Sequence, residues 1–132
     1  MIMSDKFKQQ KTQFKNALAR FQELLEPKNM VERDAMIQRF EFTFDLGWKT
    51  LKTSLEESYS IDAPTPLQAF QEAIRIKILE EDSVWLAMSD MRNLTSHSYS
   101  ESTAVKVQEQ TKPFNEAFVK LATLFENSQN NV

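Results

Sequence analysis

Between Val31 and Tyr59 the apolar residues recur with the period of an α-helix, without a break, for about eight turns. At 100° per residue Ile37, Phe40, Phe44, Trp48, Leu51 and Leu55 share one face. Thr43, Gly47, Thr50 and Ser54 lie just beside them, small enough for another helix to come close. A polar strip of Gln38, Glu41, Asp45, Lys49, Lys52 and Glu56 follows, and beyond it sit Ala35, Phe42 and Leu46, a second apolar patch. A helix with two apolar faces lies at the centre of its bundle or meets another chain, and this one is expected to do both. With 1 glycine and 4 prolines the chain has few sharp turns, which favours long helices over a many-stranded β fold.

The remaining stretches carry the same signature. A first helix is expected from about Ser4 to Leu25, with Phe7, Phe14, Leu18, Phe21 and Leu25 as its apolar stripe and Pro27 ending it. Its Lys8, Lys11 and Lys15 form a basic row read as a solvated face, with phosphate contact as the alternative. Thr65-Pro66-Leu67-Gln68 signals a helix start: Thr65 caps, Pro66 fits the first position and Gln68 closes a capping box. That third helix is expected to reach about Glu80. Asp82 or Ser83 can cap a fourth, running through Trp85, Met88, Met91 and Leu94. Ser100 or Ser102 can cap a fifth, carried on by Val107, Phe114, Phe118, Leu121 and Phe125, with a kink expected at Pro113. The tail from about Asn127 is polar and expected to fray. The fold class expected is therefore all-α: one domain over residues 1–132, an antiparallel up-and-down bundle of about five helices.

Composition removes several chemistries. No cysteine means no disulfide, no thiolate nucleophile and no thiolate zinc ligand. One histidine argues against a zinc or soft-metal site within one chain, and no acidic cluster points to magnesium, so no metal is expected. One glycine excludes a glycine-rich phosphate cradle, and no cofactor is expected. A net charge of −3 argues against broad nucleic-acid binding, which rests on phosphate neutralisation, so any RNA contact has to be local. No apolar run approaches a membrane span or a signal-peptide core; the expectation is a cytoplasmic protein with no membrane association.

Function is most legible in Met91–Tyr99, which holds the lone histidine, His97. Ser89, Asn93 and His97 form one polar row of the fourth helix, while Arg92 shares a face with Trp85, Met88 and Tyr99. Arg92 and His97 are splayed by about 140° on an undistorted helix, so a single helix does not aim both at one atom. Cooperation would require a curled arginine, a helix ending near Thr95, or a second subunit. Metal-free RNA cleavage needs a base for the ribose 2′-hydroxyl, an acid for the leaving oxygen and a cation for the phosphate. Histidine and arginine supply these, and a two-fold dimer would provide two of each. Plainer readings stand beside this one. A lone histidine near a helix end can be structural or can complement the helix dipole. Arg92 can pair with Glu41 or Asp45, Tyr99 can be a half-buried aromatic, and Trp48 and Trp85 suit the core.

The spacing Arg92, four residues, His97, one residue, Tyr99 resembles the motif of HepT-type HEPN domains, small helical proteins usually encoded beside a minimal nucleotidyltransferase, MNT. The segment Ile37-Gln38-Arg39-Phe40-Glu41-Phe42-Thr43-Phe44, continuing through Leu46, Trp48 and Lys49, is similar to the second helix of the nucleotidyltransferase substrate-binding branch. Pro64-Thr65-Pro66, Trp85 and Arg92-Asn93-Leu94-Thr95 fit as well, so the likeness runs from about Phe14 to Phe125; Pro113 departs from it. The resemblance implies a HEPN-like four-helix-bundle core and a homodimer whose motifs meet in a composite cleft that, in active members, cuts RNA without metal. Carried over, His97 is the acid/base group, Arg92 the phosphate-stabilising cation, and Asn93 and Ser96 supporting or binding groups; Tyr99 matches the tyrosine that the transferase adenylylates in toxin–antitoxin pairs. The alternative is a non-catalytic subunit that binds nucleotide or substrate for the transferase. A bundle with purely structural interfaces is the third reading.

Overall fold

The computed structural model describes residues 3–97 and 100–130. Six helices follow one another: α1 (Asp5–Gln22), α2 (Met30–Tyr59), α3 (Pro66–Arg75), α4 (Val84–His97), α5 (Glu101–Glu109) and α6 (Thr111–Asn130), with no strand among the described residues. None of these helices is long and apolar enough to cross a membrane.

Local chemistry sets most of the boundaries. Ser4 caps α1 by accepting the Phe7 N–H, Asn29 caps α2 through the Glu32 N–H, and Ser100 caps α5 through the Thr103 N–H. Thr65 caps α3 and Pro66 occupies the first turn, as the sequence signals; the Thr65 hydroxyl also meets the Gln68 side chain, at 3.0 Å. Asp82 is the group that meets the start of α4, its carboxylate accepting the Val84 N–H.

Three boundaries differ from the sequence expectation. α1 ends at Gln22, short of Leu25, because the N–H groups of Glu23 and Leu24 turn back onto Arg20 and Phe21. α3 stops at Arg75 rather than near Glu80. There Lys77 adopts a left-handed φ of 65°, and the N–H groups of Ile78 and Lys77 close onto the carbonyls of Ala73 and Ile74. That reversal delivers Leu79 into the core. The single fifth helix kinked at Pro113 is instead two helices broken at Gln110. Pro113 has no N–H and its ring excludes a helical carbonyl four residues earlier, at Glu109, so α5 ends there and Pro113 falls in the first turn of α6.

Side-chain pairs set the directions. Ser4 hydrogen-bonds Glu57 while Arg39 reaches the Arg20 carbonyl, so α1 and α2 run antiparallel. Lys11 meets Glu126 and Gln22 meets Asn115, so α1 is antiparallel to α6 as well. α2 packs against every other helix. Gly47 marks its closest approach: a Cβ there would stand 2.9 Å from the Phe14 ring and 3.4 Å from Leu121. The neighbouring small residues Thr43, Thr50 and Ser54 are fully buried, as their position on the helix implied.

Of the 10 phenylalanines only Phe42 is exposed; the other nine are fully buried. Their rings touch in one continuous column: Phe7 and Phe14 on Phe125, Phe14 and Phe21 on Phe118, Phe21 on Phe40, Phe40 on Phe114 and Phe44, Phe44 on Phe70, and Phe70 stacked on Trp85 at 5.2 Å. Each buried ring contributes about 1.5–3 kcal/mol of transfer free energy, so the column is the main source of cohesion. The basic row of α1 is not simply solvated. Lys11 is buried and, with Lys15, binds Glu126 of α6 at 3.4 and 3.2 Å, which lowers the Glu126 pKa, chiefly through the Lys15 hydrogen bond.

Candidate functional site

Glu41 and Asp45 stand one turn apart on α2 and face α4, which passes antiparallel to them. Both reach Arg92. Asp45 takes the Nε and Nη2 edge as a fork, at 3.0 and 2.9 Å. Glu41 accepts from Nη1 at 2.7 Å, and the Ser96 hydroxyl accepts from the same nitrogen at 2.6 Å while bonding the Arg92 carbonyl. Thr95 also donates to Glu41, at 3.2 Å. Arg92 and Glu41 are each 24% exposed, so these pairs are partly shielded from water. Hydrogen bonding to Asp45 is the first cause of the raised Arg92 pKa, which keeps the guanidinium charged throughout the working range.

A guanidinium has five N–H donors. Four are engaged here, leaving one on Nη2 for anything that approaches from solvent. The pairing of Arg92 with α2 is thus the one the sequence offered as the plain alternative, with both named carboxylates taking part.

His97 lies at the end of α4 and is exposed. Since α4 stays helical through His97, it does not stop near Thr95, and the splay of about 140° stands. Arg92 is drawn onto α2 and does not curl towards the imidazole. Within one chain the two groups therefore serve different faces. Asn93 is exposed on α4 beside Arg92. Tyr99 lies outside the described residues, as does Ser98.

Through Glu41 and Asp45, α2 holds α4. Beyond it, Arg33 forks onto Glu101, the first residue of α5, at 2.7 and 2.8 Å, and this lowers the Glu101 pKa. Sequence reasoning did not single out Arg33, Glu101 or Asp90. Their spacing along the chain carries no mark of pairing, and only the helix packing brings Arg33 to Glu101.

Beside Arg92 a groove of about 460 Å³ opens between the start of α3 and the outer face of α4, lined by Thr65, Pro66 and Leu67 on one side and by Leu86, Asp90, Asn93 and Ser96 on the other. Phe44 and Asp45 of α2 line it as well. Among the described residues no cluster of three or more histidines, cysteines or carboxylates converges as a metal site.

A helical bundle built on a two-faced α2, with an arginine and a histidine five apart on α4, matches one known family: residues 9–127 fit the family described as nucleotidyltransferase substrate binding protein like. The chain belongs to that family. Among curated proteins it is similar to the probable ribonuclease HepT of Haemophilus influenzae, with 35% identity over 82 residues, 59% of this chain and 56% of that protein. The match thus spans just over half the length of that relative. Among solved structures, a protein from Thermus thermophilus superposes with a TM-score of 0.79 at 30% identity, covering 85% of this chain and 98% of the other.

Proposed function

We propose that this protein is the HEPN-type toxin component of a toxin–antitoxin pair, a metal-independent endoribonuclease whose active site is shared between the two chains of a homodimer. The observation that carries the proposal is the separation of Arg92 from His97 on a continuous α4, in a family whose relative is described as a probable ribonuclease. One chain offers one imidazole; cleavage needs a base and an acid. Two copies of His97 across a two-fold axis supply both. One imidazole takes the proton of the ribose 2′-hydroxyl as its oxygen bonds to phosphorus. The other protonates the 5′-oxygen as the P–O5′ bond breaks, leaving a 2′,3′-cyclic phosphate. Arg92 contributes positive charge and its remaining N–H to the phosphate oxygens, with Asn93 and Ser96 beside it.

The family description names a nucleotidyltransferase, and a partner of that class is the regulator in this proposal. Transfer of adenylate to the Tyr99 oxygen, with pyrophosphate leaving, would add bulk and negative charge two residues from His97, repelling an RNA phosphate.

The test is cleavage of single-stranded RNA by the purified protein with and without EDTA. Activity is expected to survive chelation and to be lost in His97→Ala. Cleavage that persists in that variant, or disappears with EDTA, refutes the mechanism. One observation favours a second reading: Arg92 is nearly saturated by carboxylates, which suits a subunit that presents nucleotide or substrate to the transferase without cutting. That reading predicts intact RNA and binding of the transferase at the same face.

A further inference from the structure

Away from the one N–H that Arg92 leaves open, the groove beside it is electrically wrong for a phosphate. Its charged lining is Asp45, Asp90 and Arg92, and the arginine is already held by Asp45 and Glu41. It is well suited to a flat, neutral ring with N–H groups on one edge. Leu86, Asp90 and Asn93 project from one face of α4, within about 60° of each other by the helical period. Leu67, beside Pro66 at the start of α3, faces them across the groove. Leu67 is 37% and Leu86 50% exposed, two large apolar side chains left to water on opposing walls. Asp90 and Asn93 are exposed, and their side chains have no hydrogen-bond partner among the described residues. At about 460 Å³ the space falls within the roughly 300–1,000 Å³ of small-ligand sites.

We propose that this groove is a base-binding subsite that takes guanine from single-stranded RNA, with Leu67 and Leu86 against the ring faces and Asp90 and Asn93 on the ring edge. The assignment rests on the ribonuclease reading above for its role, which is to seat a nucleotide flanking the scissile phosphate at Arg92. The choice of base follows from donor and acceptor pattern. Guanine presents N1–H and N2–H in parallel, which a carboxylate accepts as a pair, and O6 beside them, which an asparagine amide can reach. Asp90 and Asn93 are three residues apart on a helix, hence side by side at about 5–6 Å between Cβ atoms. Adenine and cytosine offer a single amino group to the carboxylate. Uracil offers one N–H flanked by two carbonyl oxygens, both repelled by it.

The test uses the full chain and short single-stranded RNAs that carry one variable base and a 2′-deoxy sugar at the cleavable position, so that binding is read without turnover. Fluorescence anisotropy is expected to show guanine bound about tenfold to hundredfold tighter than uracil, with inosine, which lacks the N2 amino group, in between. Asp90→Asn is expected to erase the guanine preference while leaving the thermal unfolding midpoint unchanged, since Asp90 is exposed and unpaired. Equal binding of guanine and uracil, or a preference that survives Asp90→Asn, overturns the proposal. A third outcome also overturns it: Leu86→Asp converts a dimer to a monomer without changing base preference, which would make the groove an interface between copies. Because no cleavage is read, failure of the ribonuclease mechanism leaves this result standing, and cleavage without base preference sinks only the subsite.

Discussion

Removing the charge of Glu41 is expected to weaken the fold slightly and tighten RNA binding, an unusual pairing of signs for a partly buried ion-pair residue. Glu41→Gln keeps the side-chain shape and the carbonyl oxygen that accepts from Arg92 Nη1, but deletes one of two carboxylates on that arginine. Asp45 still holds the Nε–Nη2 edge, so Arg92 is not left unpaired. Both members of the Arg92–Glu41 pair are 24% exposed, which places the stability loss near that of exposed pairs, about 1 kcal/mol. For a chain of this size that is a fall of about 3–5 °C in Tm. The gain comes from an incoming phosphate. A charge about 5 Å from the Glu41 carboxylate feels a repulsion of roughly 1–3 kcal/mol for effective dielectric constants between 80 and 20. Relief of that repulsion is worth about 5-fold to 150-fold in affinity for a non-cleavable oligonucleotide. The assay is anisotropy over a salt series together with thermal unfolding of both proteins. Asp45→Asn is the contrast: it breaks the aligned fork, so stability and affinity fall together. If Glu41→Gln binds RNA no better than the parent protein, Glu41 does not compete with phosphate for Arg92, and the picture of a restrained cation fails.

Other perturbations follow from the packing. Gly47→Ala gains about 1 kcal/mol in helix propensity, yet its Cβ would sit 2.9 Å from the buried Phe14 ring; net destabilisation of about 1 kcal/mol is expected in urea unfolding. Phe118 touches Phe14, Phe21 and Phe40, and Phe118→Ala is expected to cost about 3–5 kcal/mol by the same measurement. The folded pKa of Glu101 lies below its ordinary 4.5 because of Arg33, so the pair's stabilisation is present above that value and is lost as pH falls through the lower folded one. In Glu101→Gln the Tm should therefore decline less steeply below about pH 4.5 than in the parent; identical profiles would show that the pair contributes nothing.

Much of the fold could be read from the sequence because its rules are local. Helical period places Phe40, Phe44, Leu51 and Leu55 in the core, Thr65-Pro66 announces α3, and the small residues around Gly47 foretell a close helix contact. The misreadings arise where local and tertiary preferences compete. Pro113 was legible as a disturbance, but whether a proline kinks a helix or divides it depends on whether neighbouring elements satisfy the freed groups. Here Thr111 bonds the Leu25 carbonyl and holds the new start. α3 ends early because Leu79 gains more from burial than from another turn of helix. At the site, the sequence named Arg92 and both of its possible carboxylate partners but could not say that they act together, since that depends on the lateral position of α4 against α2. Arg33 with Glu101 and Lys11 with Glu126 were invisible for the same reason: 68 and 115 residues separate the partners.

The aromatic column has a consequence for how the protein comes into being. Phe7, Phe14, Phe21, Phe40 and Phe44 belong to the first two helices, yet rings they pack against, Phe114, Phe118 and Phe125, arrive only with α6. At about 5–20 residues per second, the ~80 residues between Phe44 and Phe125 take roughly 4–16 s to synthesise. For that interval a nascent α1–α2 hairpin displays an uncovered stripe of phenylalanines to the cell. Escape from aggregation during synthesis then depends on chaperones or on speed of translation through α3 to α5. Slow codons in that stretch, or a ribosome stalled before Phe114, should lower the soluble yield far more than the same delay placed within α1.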